Sequence, residues 1–270
     1  MILITGATGT IGSEVVRQLT GRGVPLRAMS RNPSGPHGVR ADFDDPESLR
    51  RAVEGVDAVF LLTAPATATS RHDLALLEAA RAAGVARVVK LSAIGTGDTT
   101  ADGRVIGEWH LAGEEAVRGS GLEWTILRPS SFASNVLRFA AGDRISNLTG
   151  DGKQGVVDPR DVAAVAVEAL TDPRHDHRTY TLTGPDLLSV PDQAAELSRV
   201  LGRVVGTVEV SPEHLLGSGM DASAAAEVAR GTAWVREGHN AVVTDDVERV
   251  LGRPPTGFAD WVRDHAEAFG

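Results

Sequence analysis

The chain contains no cysteine, which excludes disulfides, thiolate metal sites and thiol nucleophiles. It holds a single tyrosine, Tyr180, so phenol-based acid–base chemistry has one candidate and no more. It also lacks a basic excess: 27 lysines and arginines stand against 36 aspartates and glutamates, a formal net charge of −9. No basic stripe is clustered along it, which argues against a nucleic-acid partner. No apolar run approaches bilayer-spanning length. Met1 leads directly into an apolar strand, without the basic stretch that opens a secretory signal. Together these absences lead us to expect a cytoplasmic protein with small-molecule partners and no membrane, and they leave the oligomeric state open.

What the chain does have is alternation. Short apolar runs at Met1–Thr5, Leu26–Met29, Ala58–Leu62, Ala86–Leu91 and Trp124–Leu127 are separated by helical patterns. Ile11, Val15 and Leu19 form one such helical face; Leu76, Ala79, Ala80 and Ala83 form another. Asp45 followed by Pro46 is a helix start, with a short strand expected just before it at Ala41–Phe43. A further helix is expected around Arg104–Arg118. Continuous apolar strands buried on both faces and separated by helices predict a doubly wound, Rossmann-like parallel sheet. We expect the core to span residues 1–130, with segments near 156–184 returning to it, and residues 131–270 to form mainly a smaller substrate lobe. In that lobe Thr244 is the expected cap of a short helix ended by Gly252.

The most informative motif is Gly6-Ala7-Thr8-Gly9-Thr10-Ile11-Gly12, between the first strand and the first helix. Gly6 permits a tight turn, Gly9 lets backbone approach a pyrophosphate, and Gly12 lets helix and strand pack closely. The helix N-terminus then offers free N–H groups to the anion. Sites that prefer NAD(H) carry an acid about 20 residues further on, at the end of the second strand, to hold the ribose 2′-hydroxyl. Here that segment reads Ser30-Arg31-Asn32, with no acid. The planar cation of Arg31 suits a 2′-phosphate, so the expected cofactor is NADP(H) rather than NAD(H).

Several segments taken together resemble the NmrA-like branch of the atypical short-chain dehydrogenase/reductases, the quinone oxidoreductase and azoreductase type. They are the glycine turn, Ser30-Arg31-Asn32, Asp42-Phe43-Asp44-Asp45, Lys90-Leu91-Ser92, His110 to Glu114, Thr125 to Pro129, Asn135, Asp158 to Val162 and Thr181 to Pro185. The resemblance covers nearly the whole chain. It implies that Asp42 and Phe43 sit by the adenine and that Leu62, Thr63 and Ala64 flank the cofactor. It implies too that Lys90 and Ser92 approach the nicotinamide, and that Pro129 to Phe132 border it with Asn135 nearby, Phe132 and Asn135 on the substrate side.

The chain departs from the wider superfamily at one place. The usual Tyr-x-x-x-Lys pair is missing, because Tyr180 is followed by Thr-Leu-Thr-Gly. His110 and Glu114, four apart on one helix face, are the replacement candidates. A carboxylate beside an imidazole favours its charged form, so His110 would donate a proton, with Ser92 adding a hydrogen bond. The His175-Asp176-His177 run has too few ligands for a metal, and no metal is expected. The function expected from these features is hydride transfer between NADP(H) and a quinone, enone, imine or carbonyl. A non-catalytic nucleotide sensor, or an isomerase or cyclase on the same fold, are the alternatives.

Overall fold

The computed structural model describes residues 1–63, 70–211 and 222–269. Six strands carry the first part of the chain: β1 (Ile2–Ile4), β2 (Leu26–Ser30), β3 (Gly38–Arg40), β4 (Ala58–Leu61), β5 (Arg87–Leu91) and β6 (Glu123–Pro129). They alternate with helices α1 (Thr10–Gly21), α2 (Pro46–Val53), α3 (Arg71–Ala82) and α4 (Glu108–Arg118). α5 (Asn135–Phe139), β7 (Ala140–Ala141), β8 (Arg144–Asn147), β9 (Gln154–Gly155), α6 (Pro159–Thr171), β10 (Arg178–Leu182) and β11 (Leu187–Leu188) follow. The chain continues through α7 (Val190–Leu201), β12 (Gly206–Glu209), α8 (Ala222–Arg236), α9 (Asp246–Leu251) and α10 (Phe258–Asp264).

The main sheet has the order β10-β6-β5-β4-β1-β2-β3. Every pairing from β3 across to β6 is parallel, which is the doubly wound order expected from the alternation. The chain reverses direction of winding between β1 and β4, and ligands of such sheets bind at the strand ends beside that switch point. Leu3, Met29, Leu49, Val59, Leu61, Leu76, Val88 and Ile126 are buried in the core cluster around these strands.

Two compact units divide the chain. The first comprises Met1–Thr96, Glu108–Arg128 and Val162–Tyr180. The second comprises Gly97–Gly107, Pro129–Asp161 and Thr181–Gly270. Its core gathers Ala133, Ile145, Leu197, Phe258 and Trp261. Within it, β12 runs parallel to β8 and β7 antiparallel to β8. No helix among the described residues is long and apolar enough to cross a membrane.

Three local expectations need correction. The third strand is Gly38–Arg40, not Ala41–Phe43. The later residues turn instead, because Ser48 Oγ accepts from the Asp42 N–H and the Asp42 carboxylate accepts from the Asp44 N–H. Asp45 does cap α2, accepting from the N–H groups of Glu47 and Ser48. The helix expected from Arg104 begins at Glu108, after two glycines in left-handed backbone, Gly103 and Gly107. Thr244 does not cap α9, whose N-cap is Asp245. Its hydroxyl donates to the Thr181 carbonyl and its N–H donates to Thr183 Oγ1.

Candidate active site in the nucleotide-binding unit

The turn after β1 is built by close approach. Gly6 has φ +59°, and a Cβ there would lie 2.8 Å from the Leu62 side chain. A Cβ on Gly12 would lie 2.1 Å from the Gly6 carbonyl oxygen, whereas one on Gly9 would meet that oxygen only at 3.4 Å. Gly12 is therefore needed for packing, and Gly9 leaves open space for something else. Thr5 ties the turn to the switch point: its hydroxyl donates to the Phe60 and Leu62 carbonyls and accepts from the Leu62 N–H at 2.8 Å. Gly9 caps α1 without a side chain, and the first turn holds no acid. The helix thus begins with uncapped N–H donors and the positive end of its dipole, the requirement for binding a pyrophosphate.

An open cavity of about 500 Å³ adjoins this turn, lined among others by Gly6, Thr8, Ser30, Arg31, Asp42, Phe43 and Leu62. The sequence-expected residues Gly6, Thr8, Arg31, Asp42, Phe43 and Leu62 thus come together around one space, with Gly9, Thr10, Ile11 and Gly12 in the adjoining turn and helix. Ile11 is buried beneath the turn. His72 joins them from the first turn of α3: its ring stacks on Phe43 at 5.0 Å and an interplanar angle of 15°, with Nε2 3.3 Å from Asp44. Nothing in the sequence near Phe43 signalled His72, because the two are brought together by tertiary packing. Ala64 lies outside the described residues.

The residues expected toward the nicotinamide form a second region. Lys90 is 0% exposed and its Nζ donates to Asp73 at 2.6 Å. Asp73 also accepts from the Thr63 hydroxyl at 2.9 Å. Lys90 is thus buried, with its ammonium held on the Asp73 carboxylate. Gly113 of α4 packs directly on this pair, since a Cβ there would sit 2.2 Å from Asp73 Oδ2 and 2.7 Å from Lys90 Cε.

Glu114, next along α4, is also fully buried. Ser92 donates to its Oε1 at 2.6 Å, Arg128 reaches both oxygens at 2.8 and 2.7 Å, and Arg118 reaches Oε2 at 2.9 Å. Burial works against the Glu114 carboxylate, but the bonds from Arg128 and Ser92 and the charges of Arg128 and Arg118 outweigh it and hold its pKa below the usual range. Those partners fill the carboxylate, and it makes no hydrogen bond to His110. The expected His110–Glu114 couple is therefore replaced by a Ser92–Glu114–Arg128 network. The spacing of four placed the two residues on one face, but it gave no sign of an arginine arriving from β6.

His110 stacks on Trp109 with ring centroids 3.6 Å apart, and its Nδ1 is buried without a hydrogen-bond partner among the described residues. Burial and the nearby Lys90 charge push its imidazole down to about 3, against the opposing pull of Glu114. It is neutral at physiological pH, opposite to the charged form expected from the spacing. In the second unit, Pro129 ends β6, Phe132 bridges to Val157, and Asn135 Nδ2 donates to Ser131 Oγ at 3.3 Å. The three residues of the His175–His177 run each find a separate partner. His175 Nδ1 lies 2.9 Å from the Tyr180 hydroxyl, Asp176 pairs with Arg87, and His177 pairs with Glu123.

The NAD(P)H-binding family matches residues 6–173, well over half of the chain. The chain is 40% identical to a (4-alkanoyl-5-oxo-2,5-dihydrofuran-3-yl)methyl phosphate reductase of Streptomyces griseus, covering 100% of this chain and 99% of that protein. It is 38% identical to an NAD(P)H azoreductase of Xenophilus azovorans, with coverage of 100% and 99%. The crystal structure of an NADPH-dependent quinone oxidoreductase from Escherichia coli, complexed with NADPH, superposes with a TM-score of 0.85 at 25% identity, covering 99% of this chain and 100% of that one.

Proposed function

This chain belongs to the NAD(P)H-binding family, and from that premise we propose how it works as the NAD(P)H-dependent oxidoreductase its relatives indicate. The cofactor is NADP(H), and the residues present fit it. The uncapped start of α1 suits the pyrophosphate, the cavity beside Phe43 and Asp42 suits the adenosine, and Arg31 suits the 2′-phosphate. When bound, the reduced nicotinamide supplies a hydride.

The acceptor we assign is a conjugated, electron-poor double bond: a quinone, an enone or an imine. One observation carries this assignment. Ser92 is buried and spends its hydroxyl proton on Glu114, so its oxygen accepts rather than donates. His110 is neutral, and Lys90 is sealed on Asp73. Thus, among the described residues of this part of the unit, no charged acid is poised to protonate an isolated alkoxide, the step a simple ketone requires. A conjugated acceptor spreads the incoming charge and takes its proton from water, so orientation of the two reactants supplies most of the rate. Ser92 and Glu114 then act by holding the end of β5 in place, and His110 as a neutral polar group beside them. Phe132 and Asn135 are retained on the acceptor side on the family resemblance alone.

The names of the relatives fit this class, since quinone, azo and alkanoyl-dihydrofuranone groups are all conjugated acceptors. A cytoplasmic setting and small-molecule partners without nucleic acid complete the reading, supported by the acidic charge balance. The test is NADPH oxidation against a panel of quinones, enones, imines and simple ketones. Turnover of quinones or enones, with simple ketones inert, is the expected result. Turnover of simple ketones that is abolished in His110→Ala would overturn the assignment and restore a histidine acid.

A further inference from the structure

Beside the adenosine cavity lies a second one of about 490 Å³, and the two share Arg31, Ala41 and Asp42. Three arginines line it: Arg31, Arg40 and Arg51. Their charges are not equivalent. Arg51 leans on Glu47 at 3.4 Å. Arg31 and Arg40 are exposed, and among the described residues the side chain of neither makes a hydrogen bond or an ion pair. The two carboxylates in the same wall are already engaged. Asp42 accepts from the Asp44 N–H at 3.1 Å, and Asp45 accepts from the Glu47 and Ser48 N–H groups at 3.1 and 3.2 Å. The cavity therefore presents two unspent guanidinium groups.

Backbone pairing brings these two arginines to one place. β2 and β3 run parallel with Ser30 opposite Arg40, and the Ala41 N–H extends the ladder by donating to the Ser30 carbonyl at 3.2 Å. Arg31 directly follows Ser30, so the two arginines stand at the same end of adjacent strands, one register position apart, and both line the one cavity. The intervening loop is fixed. The Asn32 N–H donates to Ser30 Oγ at 3.1 Å, and a Cβ on Gly38 would lie 2.9 Å from the Pro33 side chain.

We infer that Arg40 is the second arm of a two-arginine clamp for the cofactor's 2′-phosphate, and so a specificity-determining residue in its own right. The inference rests on the reading that this cavity receives NADP(H). A phosphate monoester carries between one and two negative charges at neutral pH, with three acceptor oxygens. One guanidinium fork can satisfy two of those oxygens and one unit of charge. The third oxygen and the remaining charge call for a second cation, and Arg40 stands nine residues downstream at the same strand end. A nicotinamide dinucleotide without the 2′-phosphate would leave both arginines in water, where they cost nothing, so the clamp rewards NADPH without rejecting NADH.

The measurement is calorimetric affinity of the full chain for NADPH, NADH, 2′,5′-ADP and 5′-AMP, in wild type, Arg31→Ala, Arg40→Ala and Arg40→Lys. Arg40→Ala should weaken NADPH and 2′,5′-ADP roughly 10- to 100-fold, the range of a lost charge-assisted bond, and leave NADH and 5′-AMP within about twofold. Arg40→Lys should fall between, retaining charge but losing the fork. Wild-type NADPH affinity in Arg40→Ala, with a loss in Arg31→Ala, would overturn the clamp while leaving the cofactor reading intact. Equal losses of NADPH and NADH in Arg40→Ala would also overturn it, as would undiminished NADPH preference in both alanine variants, which would remove the 2′-phosphate from this cavity altogether. Because Arg40 is exposed and unpartnered, an unchanged melting curve accompanies the expected result.

Discussion

The nucleotide-binding unit handles charge in two opposite ways. Around the Gly6–Gly12 turn, Arg31 and Arg40 stand exposed, their side chains without partners among the described residues, and α1 has no side-chain cap. Around α4, Lys90, Asp73 and Glu114 are buried and paired. The first region leaves its charges unengaged, as the proposed binding of NADP(H) requires. The second has already used its electrostatics to hold helices α3 and α4 to strands β5 and β6. Residue type is thus a poor guide to role: we propose Arg31 and Arg40 for a phosphate, while Lys90 of β5 and Glu114 of α4 are engaged in buried ion pairs within the unit.

Substitutions should respect that division. The largest effect is expected at Lys90→Ala, which strands Asp73 in the interior. Breaking a buried pair from one side costs about 3–5 kcal/mol, so denaturant unfolding should show a loss of that order, and Gly113→Ala should approach it by driving a methyl group into Asp73. A variant of Lys90 with native stability and impaired NADPH binding would erase the distinction between the regions. Glu114→Gln comes next. It weakens three charge-assisted contacts, to Arg128, Arg118 and Ser92, two of them to partly exposed arginines, and about 2 kcal/mol is expected. The folded pKa of Glu114 lies below its unfolded value. Its contribution is therefore fully present above the unfolded pKa and is lost as pH falls through the folded one. Glu114→Gln should accordingly flatten the acid limb of the stability–pH curve below about pH 4.5, measured by thermal unfolding.

In the open region the order of effects reverses. Gly9→Ala adds a methyl group that meets only ordinary contact at 3.4 Å, so stability should change by less than about 1 kcal/mol while NADPH affinity falls at least several-fold. Gly12→Ala, with its 2.1 Å approach, should damage folding as well, and the contrast between the two separates space kept for a ligand from space kept for packing. The smallest effect is expected at His110. With its imidazole pushed down to about 3, turnover should show no inflection from this group between pH 5 and 8, and His110→Asn should leave the shape of the pH–rate profile unchanged. An inflection near pH 6.5 that disappears in that variant would place His110 among the proton donors.

Legibility in the sequence followed the same line. The glycine turn is seven contiguous residues with a strand before and a helix after, and Arg31 directly follows a strand, so local pattern carries both. The order of alternating elements carried the sheet. Arg40 was not legible as a partner of Arg31, because only the parallel register of β2 with β3 brings them together. Lys90 and Asp73 lie 17 positions apart, and an aspartate at the start of a helix reads as an ordinary first-turn acid. Glu114 was found, but its helical neighbour His110 drew the pairing, while the arginine that binds both its oxygens lies 14 positions away on another element. Helical spacing identifies which side chains share a face, and it gives no account of what the rest of the fold brings to that face.

The Lys90–Asp73 pair also bears on the order of assembly. Until α3 docks, the ammonium of β5 has no carboxylate and keeps its water, so closing that face of the sheet over it is unfavourable. Docking of α3 removes the obstacle, and α4 can then settle at Gly113 against the completed pair. The seats of the two helices are thereby coupled: a chain that has lost α3 loses the Asp73 contact at Gly113, while the Glu114 network still ties α4 to β6. In amide exchange, β5, α3 and the Gly113 turn of α4 should open as one cooperative block, with the glycine turn before α1 free to exchange on its own timescale.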